Sequence, residues 1–178
     1  MREHLLRLGR KDRELRFCHA ASDAVIAAHC EGLDWLRATV LGAFVGGELR
    51  GVAELIRVEG GWPPAAELAL SVEAAHQDRG IGSALLRHAL VTARNRLIGR
   101  VYMVCLGENR KMQHLAHKFE ASLAFREGQV EGEILPPWPS HLSLIEEVAA
   151  EGQALFLAAF ELPLAAAPQI LDKLDKTG

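Results

Sequence analysis

Cysteine is scarce in this chain, and its few copies lie far apart. The sequence of 178 residues holds three, at Cys18, Cys30 and Cys105. An odd number without a close pair excludes a paired disulfide framework and a CxxC metal site. Reduced thiols are the simplest interpretation, and they are typical of a cytoplasmic protein. The eight histidines show no ligand spacing either, so we expect no metal.

Long apolar runs and one-sided charge are also missing. The most apolar late stretch, residues 154–167, is interrupted by Glu161 and Pro163, and it is shorter than the roughly 20 residues that cross a membrane. The first residues include Glu3 and no apolar run, so we expect no secretory signal. A formal net charge of −3 without a basic cluster argues against nucleic acid as a partner. We therefore expect a cytoplasmic protein with neither a membrane nor a nucleic-acid partner.

What is present is the composition of a globular domain, with 49% apolar and 24% charged residues. The chain up to about residue 34 predicts helices and loops, including a helix that starts at Asp23 with Ser22 as its N-cap. Two apolar segments flank Gly46-Gly47 and predict a β-hairpin. The predicted strands are residues 38–45, 49–58, 67–72, 100–106, 123–127 and 129–135, and the later helices are residues 80–96 and 109–119.

This order of elements predicts an α+β fold. We expect a mixed, mostly antiparallel sheet of about six to seven strands with helices packed on it. The helix at 80–96 connects two strands and therefore forms a βαβ unit. Its buried face is marked by an apolar series that steps by four residues, namely Ile81, Leu85, Ala89, Ala93 and Leu97.

The proline-rich segment at residues 136–139 marks a boundary. We expect one domain at residues 1–139 and a C-terminal helical extension with a tail at residues 140–178. Ser143 and Glu146 form a capping box at the start of the predicted helix. Because this helix is apolar over much of its surface, it is expected to pack on its own domain or on a second copy of the chain in a homodimer.

The glycine-rich segment from Gln77 to Ser83 joins a predicted strand to the helix at 80–96. The unpaired N–H groups at the start of a helix bind phosphate well, and glycine lets a ligand approach the backbone. A P-loop is excluded because Gly-Lys-Ser/Thr is absent. A dinucleotide fingerprint is excluded because Leu85 stands where a third glycine is needed. These residues alone leave two interpretations open, a phosphate site and a tight turn before a helix.

Gln-x-x-Gly-x-Gly between a strand and an amphipathic helix resembles the acyl-CoA motif of the GNAT superfamily of N-acetyltransferases. The strand at 67–72 and the pattern Asn-x-x-Met-x-x-Leu-Ala-x-Lys at 109–118 extend the resemblance. The second pattern is most similar to the bacterial Pat-type protein-lysine acetyltransferases, as is Arg-Glu-Leu-Arg-Phe at 13–17. The resemblance covers about residues 13–135 and implies the GNAT fold with acetyl-CoA as the acyl donor.

The same resemblance implies which residues hold the donor. Val72 would meet the pantetheine arm and the acetyl carbonyl. Asn109 would contact the pantetheine, although an asparagine at this place is also a good N-cap. The pyrophosphate would be held by the backbone amides of Gln77, Arg79, Gly80, Gly82 and Ser83. Leu70, Ile81 and Met112 complete the predicted acyl-CoA site.

Acetyl transfer to an amine requires the amine to be neutral, whereas a lysine-like amine with a pKa of about 10.4 is charged at neutral pH. A general base is therefore the main requirement. Glu67 matches the position of a glutamate that has this role in the Pat-type branch, and Glu54 on the neighbouring strand is the second candidate. The acceptor is expected to be a primary amine, in a small molecule or a protein lysine, reached by direct transfer.

Two departures from the family pattern leave an alternative open. The helix tyrosine that serves many members as a general acid is replaced by Ala116, and Tyr102 lies on a strand. Glu120-Ala121 stands where the family has Gly-Phe, which predicts a different exit from the preceding helix. The alternative is an acetyl-CoA-binding regulatory or sensor domain with weak turnover. Cys105 as a nucleophile is a further hypothesis, although a buried strand cysteine is commoner.

Overall fold

The computed structural model describes residues 1–136. The predicted boundary at residue 139 and the extension at 140–178 lie outside the described residues. Six strands form one sheet, namely β1 (Ala38–Val45), β2 (Glu48–Val58), β3 (Ala65–Val72), β4 (Arg100–Leu106), β5 (Ser122–Arg126) and β6 (Gln129–Ile134). The α-helices are α1 (Arg2–Arg7), α2 (Arg10–Phe17), α3 (Asp23–Glu31), α4 (Ile81–Asn95) and α5 (Arg110–Lys118). No helix within residues 1–136 is long and apolar enough to span a bilayer.

The sheet is mixed, as predicted. Its strand order is β1-β2-β3-β4-β6-β5. The β3–β4 pair is parallel, and every other neighbouring pair is antiparallel. A parallel pair needs a crossover connection, and α4 supplies it as the helix of the predicted βαβ unit.

Local sequence chemistry explains the first hairpin and the third helix. Gly46 and Gly47 connect β1 to β2 with φ of 59° and 76°, which is the left-handed conformation that a two-residue hairpin turn demands. The side chain of Ser22 accepts a hydrogen bond from the backbone N–H of Val25, so the predicted N-cap of α3 is confirmed.

The main core lies between α4 and the central strands. Leu85, Ala89 and Ala93 of the predicted apolar series are buried there, together with Leu86. Each fully buried leucine stabilises the fold by roughly 1.5–3 kcal/mol. Leu97 departs from the prediction: it follows the end of α4 with a φ of 59° and is 60% exposed.

The opposite face of the sheet carries α1 to α3 and a buried polar cluster. His4 is fully buried; its Nδ1 lies 3.2 Å from Oε1 of Glu73, and its Nε2 lies 2.9 Å from Oγ of Ser71. Arg7 and Arg50 also donate hydrogen bonds to the Glu73 carboxylate, over 2.9 and 2.7 Å. These contacts fasten the N-terminal helix to the end of β3.

The exit from α5 differs from the prediction. Glu120 has a φ of 59°, and the N–H of Ala121 donates to the carbonyl of Ala116 over 3.1 Å. This is the left-handed helix end that glycine favours. The expectation of a different exit is therefore wrong, because the backbone keeps the glycine-like geometry at a position where the side chain strains it.

We expect Glu120→Gly to stabilise the protein by about 1 kcal/mol, because glycine adopts the left-handed conformation without steric strain. Urea unfolding followed by circular dichroism measures the change. Glu120→Ala is the matched control: it removes the carboxylate but keeps a Cβ, so it should leave the stability close to that of the wild type. A Glu120→Ala variant as stable as Glu120→Gly would contradict the backbone explanation.

The His4 cluster predicts a loss of stability in acid. Burial lowers the pKa of His4 despite the neighbouring Glu73 carboxylate. Burial alone would raise the pKa of Glu73, but hydrogen bonds from Arg50, Arg7 and His4 lower it overall. Both groups therefore bind protons more readily in the unfolded chain, so stability falls as the pH falls.

We expect the His4 contribution to be lost as the pH falls below about 6.5, and the Glu73 contribution below about 4.3, the ordinary pKa values of the two side chains. Urea unfolding at a series of pH values measures both. His4→Gln should remove the pH dependence of stability just below about pH 6.5 and keep the one below about pH 4.3. If the free energy of unfolding of that variant changed with pH near neutrality as it does in the wild type, His4 would not be the source of the pH dependence.

Candidate active site

The site is a groove that opens where two central strands separate. β3 and β4 pair at only three positions, the last of which joins Glu67 to Tyr102. Beyond this rung β3 continues along β2 as far as Val72, while β4 continues along β6 as far as Leu106. The gap between the diverging strands leads into a cavity of about 730 Å³.

The groove brings together most of the predicted donor-binding residues. Those that line it are Leu70, Val72, Gln77, Gly80, Gly82, Ser83, Asn109 and Met112. Arg79 lies within the loop, is exposed and does not line the groove. The side chain of Ile81 packs against the core instead. Neither Glu67 nor Glu54 lines the groove.

The loop before α4 has the geometry of an anion site. Gly80 is the N-cap of α4 with a φ of 84°, and no acidic residue lies in the first turn of this 15-residue helix. The first amides of a helix lack intrahelical partners and carry a partial positive charge. A Cβ at Gly80 would meet no atom within 4 Å, so the space beside this residue is open.

Gln77 holds this loop in place through its side chain. Its Nε2 donates to the carbonyl of Val72 over 2.9 Å and to Oδ1 of Asp12 over 3.1 Å. Its Oε1 accepts from Nζ of Lys111 over 3.0 Å, and the same lysine reaches Oδ2 of Asp78 over 2.7 Å. The glutamine of the motif therefore ties the end of β3 to α2 and α5.

The far wall of the groove is formed by α5. Asn109 is its N-cap and accepts a hydrogen bond from the N–H of Met112 over 3.1 Å, so the predicted capping role is confirmed. The lining combines apolar and charged side chains: Leu70, Val72, Met112 and Leu115, the lysines Lys111 and Lys118, and the carboxylates of Asp12, Asp78 and Glu108. Apolar surface beside lysine side chains suits the pantetheine arm and the phosphates of coenzyme A.

A third wall was not predicted from the sequence. Asp12, Leu15 and Arg16 of α2 line the groove opposite α5. The resemblance at residues 13–17 assigned no site role to this segment. The pattern of α2 has no apolar stripe, and none of its residues is buried. The one sequence pattern that could have indicated this wall is the four-residue spacing of Asp12 and Arg16, which places both side chains on one side of the helix.

The two candidate bases have opposite environments. Glu67 is exposed, and its carboxylate makes no hydrogen bond or ion pair within residues 1–136. Glu54 is fully buried. Its Oε1 accepts from Nη2 of Arg16 over 2.6 Å, and its Oε2 lies 2.7 Å from Nε2 of His29. The first carboxylate is accessible, whereas both oxygens of the second have partners.

The remaining candidates are accounted for by packing. Cys105 is buried, and burial raises its pKa to about 11, so the thiol is protonated at neutral pH and is a poor nucleophile. The Tyr102 ring lies 5.6 Å from the Arg100 guanidinium carbon. Among residues 1–136 no cluster of potential ligands could hold a metal ion.

We expect Gly80→Ala to weaken the binding of coenzyme A, because a side chain strains the left-handed backbone that presents the loop amides. Titration calorimetry with coenzyme A measures the affinity. Gly46→Ala is the matched control, since Gly46 also has a positive φ and no atom within 4 Å of a built Cβ. Each variant should lose roughly 1–2 kcal/mol of stability, but only Gly80→Ala should lose affinity. Equal affinity in both would exclude the loop from binding.

Comparison with solved structures agrees with this geometry. The chain is similar to the GNAT domain of S. lividans PAT, at 27% identity and a TM-score of 0.64, over 75% of this chain and 81% of that one. PaiA N-acetyltransferase from Thermoplasma acidophilum, solved in complex with coenzyme A, matches at 18% identity, 75% and 92% coverage and a TM-score of 0.57. The ribosomal-protein-S18-alanine N-acetyltransferase from Escherichia coli matches at 15% identity and a TM-score of 0.58, over 77% of this chain and 90% of that one. The last two likenesses show the fold.

Among curated proteins, none matches the chain. Residues 6–120 match the Acetyltransferase (GNAT) family. That segment covers more than half of the sequence and contains the loop, the groove and both candidate bases. The chain therefore belongs to the GNAT family and is an N-acetyltransferase that uses acetyl-CoA as its acetyl donor.

Proposed function

We propose that the enzyme transfers the acetyl group directly to a primary amine, of a protein lysine or a small molecule, with Glu67 as the general base. The observation that carries this proposal is the place of Glu67. It stands on the last rung of the β3–β4 pair, where the groove begins, and its carboxylate is exposed.

An unoccupied carboxylate at this point answers the main chemical need of the reaction. A lysine-like amine has a pKa of about 10.4 and must lose a proton before it attacks. Glu67 accepts that proton, directly or through one water molecule. Bound acetyl-CoA supplies the acetyl thioester, and the residues of the chain orient it and the amine.

The surroundings of Glu67 favour a cationic acceptor. Cross-strand pairing aligns Glu67 with Tyr102, and Tyr102 with Glu133, on one face of the sheet. Val104 and Glu131 form the next row on that face. Arg100 also lies on this face, over the Tyr102 ring, but the three carboxylates of Glu67, Glu131 and Glu133 attract a charged amine before it is deprotonated. The amine can therefore approach along the sheet face while the groove holds the donor.

The donor-binding roles follow from the same groove. We assign the pyrophosphate to the amides of the loop, from Gln77 to Ser83, at the start of α4. The apolar middle of the groove, at Val72 and Met112, takes the pantetheine arm, and Asn109 contacts the arm in addition to capping α5. Direct transfer is favoured over a covalent enzyme intermediate, because Cys105 is buried and protonated.

Glu54 is the weaker candidate for the base. A substrate amine would have to displace Arg16 or His29 to reach its oxygens, and breaking a buried ion pair costs about 3–5 kcal/mol. The regulatory alternative has lost one of its two supports. It rested on the absent helix tyrosine and on an altered exit from α5, and the exit has the ordinary left-handed form.

We expect Glu67→Gln to lower kcat by about 10²–10⁴-fold, the usual contribution of a general base. The affinity for acetyl-CoA should stay close to that of the wild type, because Glu67 does not line the groove. A thiol-release assay with acetyl-CoA and a panel of amines and lysine peptides measures turnover. Calorimetry measures donor binding.

Glu133→Gln is the matched control, since it neutralises a carboxylate on the same face two strands away. It should raise KM for a cationic acceptor and leave kcat nearly unchanged. A Glu67→Gln enzyme with wild-type kcat would remove Glu67 from the mechanism. Binding of acetyl-CoA by the wild type without turnover on any amine would favour the regulatory alternative.

A further inference from the structure

Arg16 occupies an unusual place between the groove and the interior. Its side chain is only 8% exposed, yet it lines the donor groove. Nη2 donates to the buried Glu54 carboxylate over 2.6 Å, and the guanidinium carbon lies 4.9 Å from the centre of the Phe17 ring. The ion pair and the ring therefore hold the guanidinium in one orientation.

One N–H donor of this guanidinium has no hydrogen-bond acceptor among the described residues. This donor is Nε of Arg16, which is buried. Buried polar groups are nearly always hydrogen-bonded, and an unsatisfied one is costly. Nε atoms of Arg50 and Arg100 are also buried and unbonded, but neither residue lines the groove. A ligand in the groove can supply the acceptor that Arg16 lacks.

The contacts of α2 place Arg16 along the length of the groove. At one end of the helix, Asp12 contacts Gln77 of the phosphate loop. Arg16 lies one turn further on, and its partner Glu54 pairs with Ala69 across β2 and β3. Just after the helix, Sγ of Cys18 lies 3.9 Å from the carbonyl of Val104. Arg16 therefore lies away from the phosphate end, on the side where the acyl thioester of the donor must lie.

We propose that Nε–H of Arg16 donates a hydrogen bond to the carbonyl oxygen of the acyl thioester. Glu54 is a positioning residue that holds the guanidinium, and His29 contacts the second oxygen of Glu54. At the reacting end of the donor the carbonyl is the strong acceptor, and free coenzyme A lacks it. Arg16 thus makes the groove select acyl-CoA over the product coenzyme A, which eases product release. This inference rests on donor binding and not on the identity of the amine or the base.

Titration calorimetry with three ligands and no acceptor tests the proposal. The ligands are acetyl-CoA, S-ethyl-CoA, which has the same size but no carbonyl, and coenzyme A. We expect Arg16→Lys to weaken acetyl-CoA binding by about tenfold, the effect of one hydrogen bond to a charged group. The affinities for S-ethyl-CoA and coenzyme A should change by less than about twofold, because lysine keeps a cation beside Glu54 but lacks Nε–H.

Binding of coenzyme A serves as the internal test of folding. Arg100→Lys is the matched control, since it also removes an unbonded buried Nε but lies outside the groove; all three of its affinities should match the wild type. An equal loss for all three ligands in Arg16→Lys would overturn the proposal, because it would indicate a role in the shape of the groove. No loss for any ligand would overturn it as well.

Glu54→Gln separates a positioning role from a catalytic one. If Glu54 holds Arg16, this variant should lose part of the preference for acetyl-CoA over S-ethyl-CoA, in calorimetry without an acceptor. If Glu54 were the base, kcat would fall and that preference would stay. Glu67→Gln should keep the preference in full, so a failure of the proposed base and a failure of the Arg16 proposal give different results.

Discussion

The pairing of β3 with β4 ends at the rung between Glu67 and Tyr102, and both the groove and the exposed place of the candidate base depend on this separation. Parallel strands that stayed paired would satisfy each other's backbone groups and close the cavity. Because each strand instead follows its antiparallel neighbour, a gap remains in the middle of the sheet. A linear ligand can enter this gap without breaking the hydrophobic core.

The gap needs a wall on each side, and the two walls are built differently. On one side, α5 is fixed by the Asn109 cap and by packing of Ala116. On the other, α2 buries no residue completely and is held by polar contacts from Asp12 and Arg16. Burying Glu54 beneath α2 is costly unless its charge is paired. Helix position and carboxylate burial therefore depend on each other.

Elements with strong local signals were predicted closely. β1 and β4 have the bounds that their β-branched and apolar patterns predicted, and Gly46 and Gly47 form the expected turn. Errors arose where tertiary contacts override local preference. Glu120 takes a left-handed conformation at a helix end, although propensity alone would place glycine there. Leu97 fits the apolar series but follows the end of α4 and is exposed.

Local sequence chemistry accounts for the order of elements, the mixed sheet and the glycine-rich loop from Gln77 to Ser83, because turn chemistry, periodicity and helix starts are local properties. The resemblance carried by that loop led to the acetyl-CoA family. Long-range contacts bury Glu54, leave Glu67 exposed on the last rung of the β3–β4 pair, and bring Arg16 to the groove. Those facts depend on a strand register and on a contact between residues 38 positions apart, which no local pattern encodes.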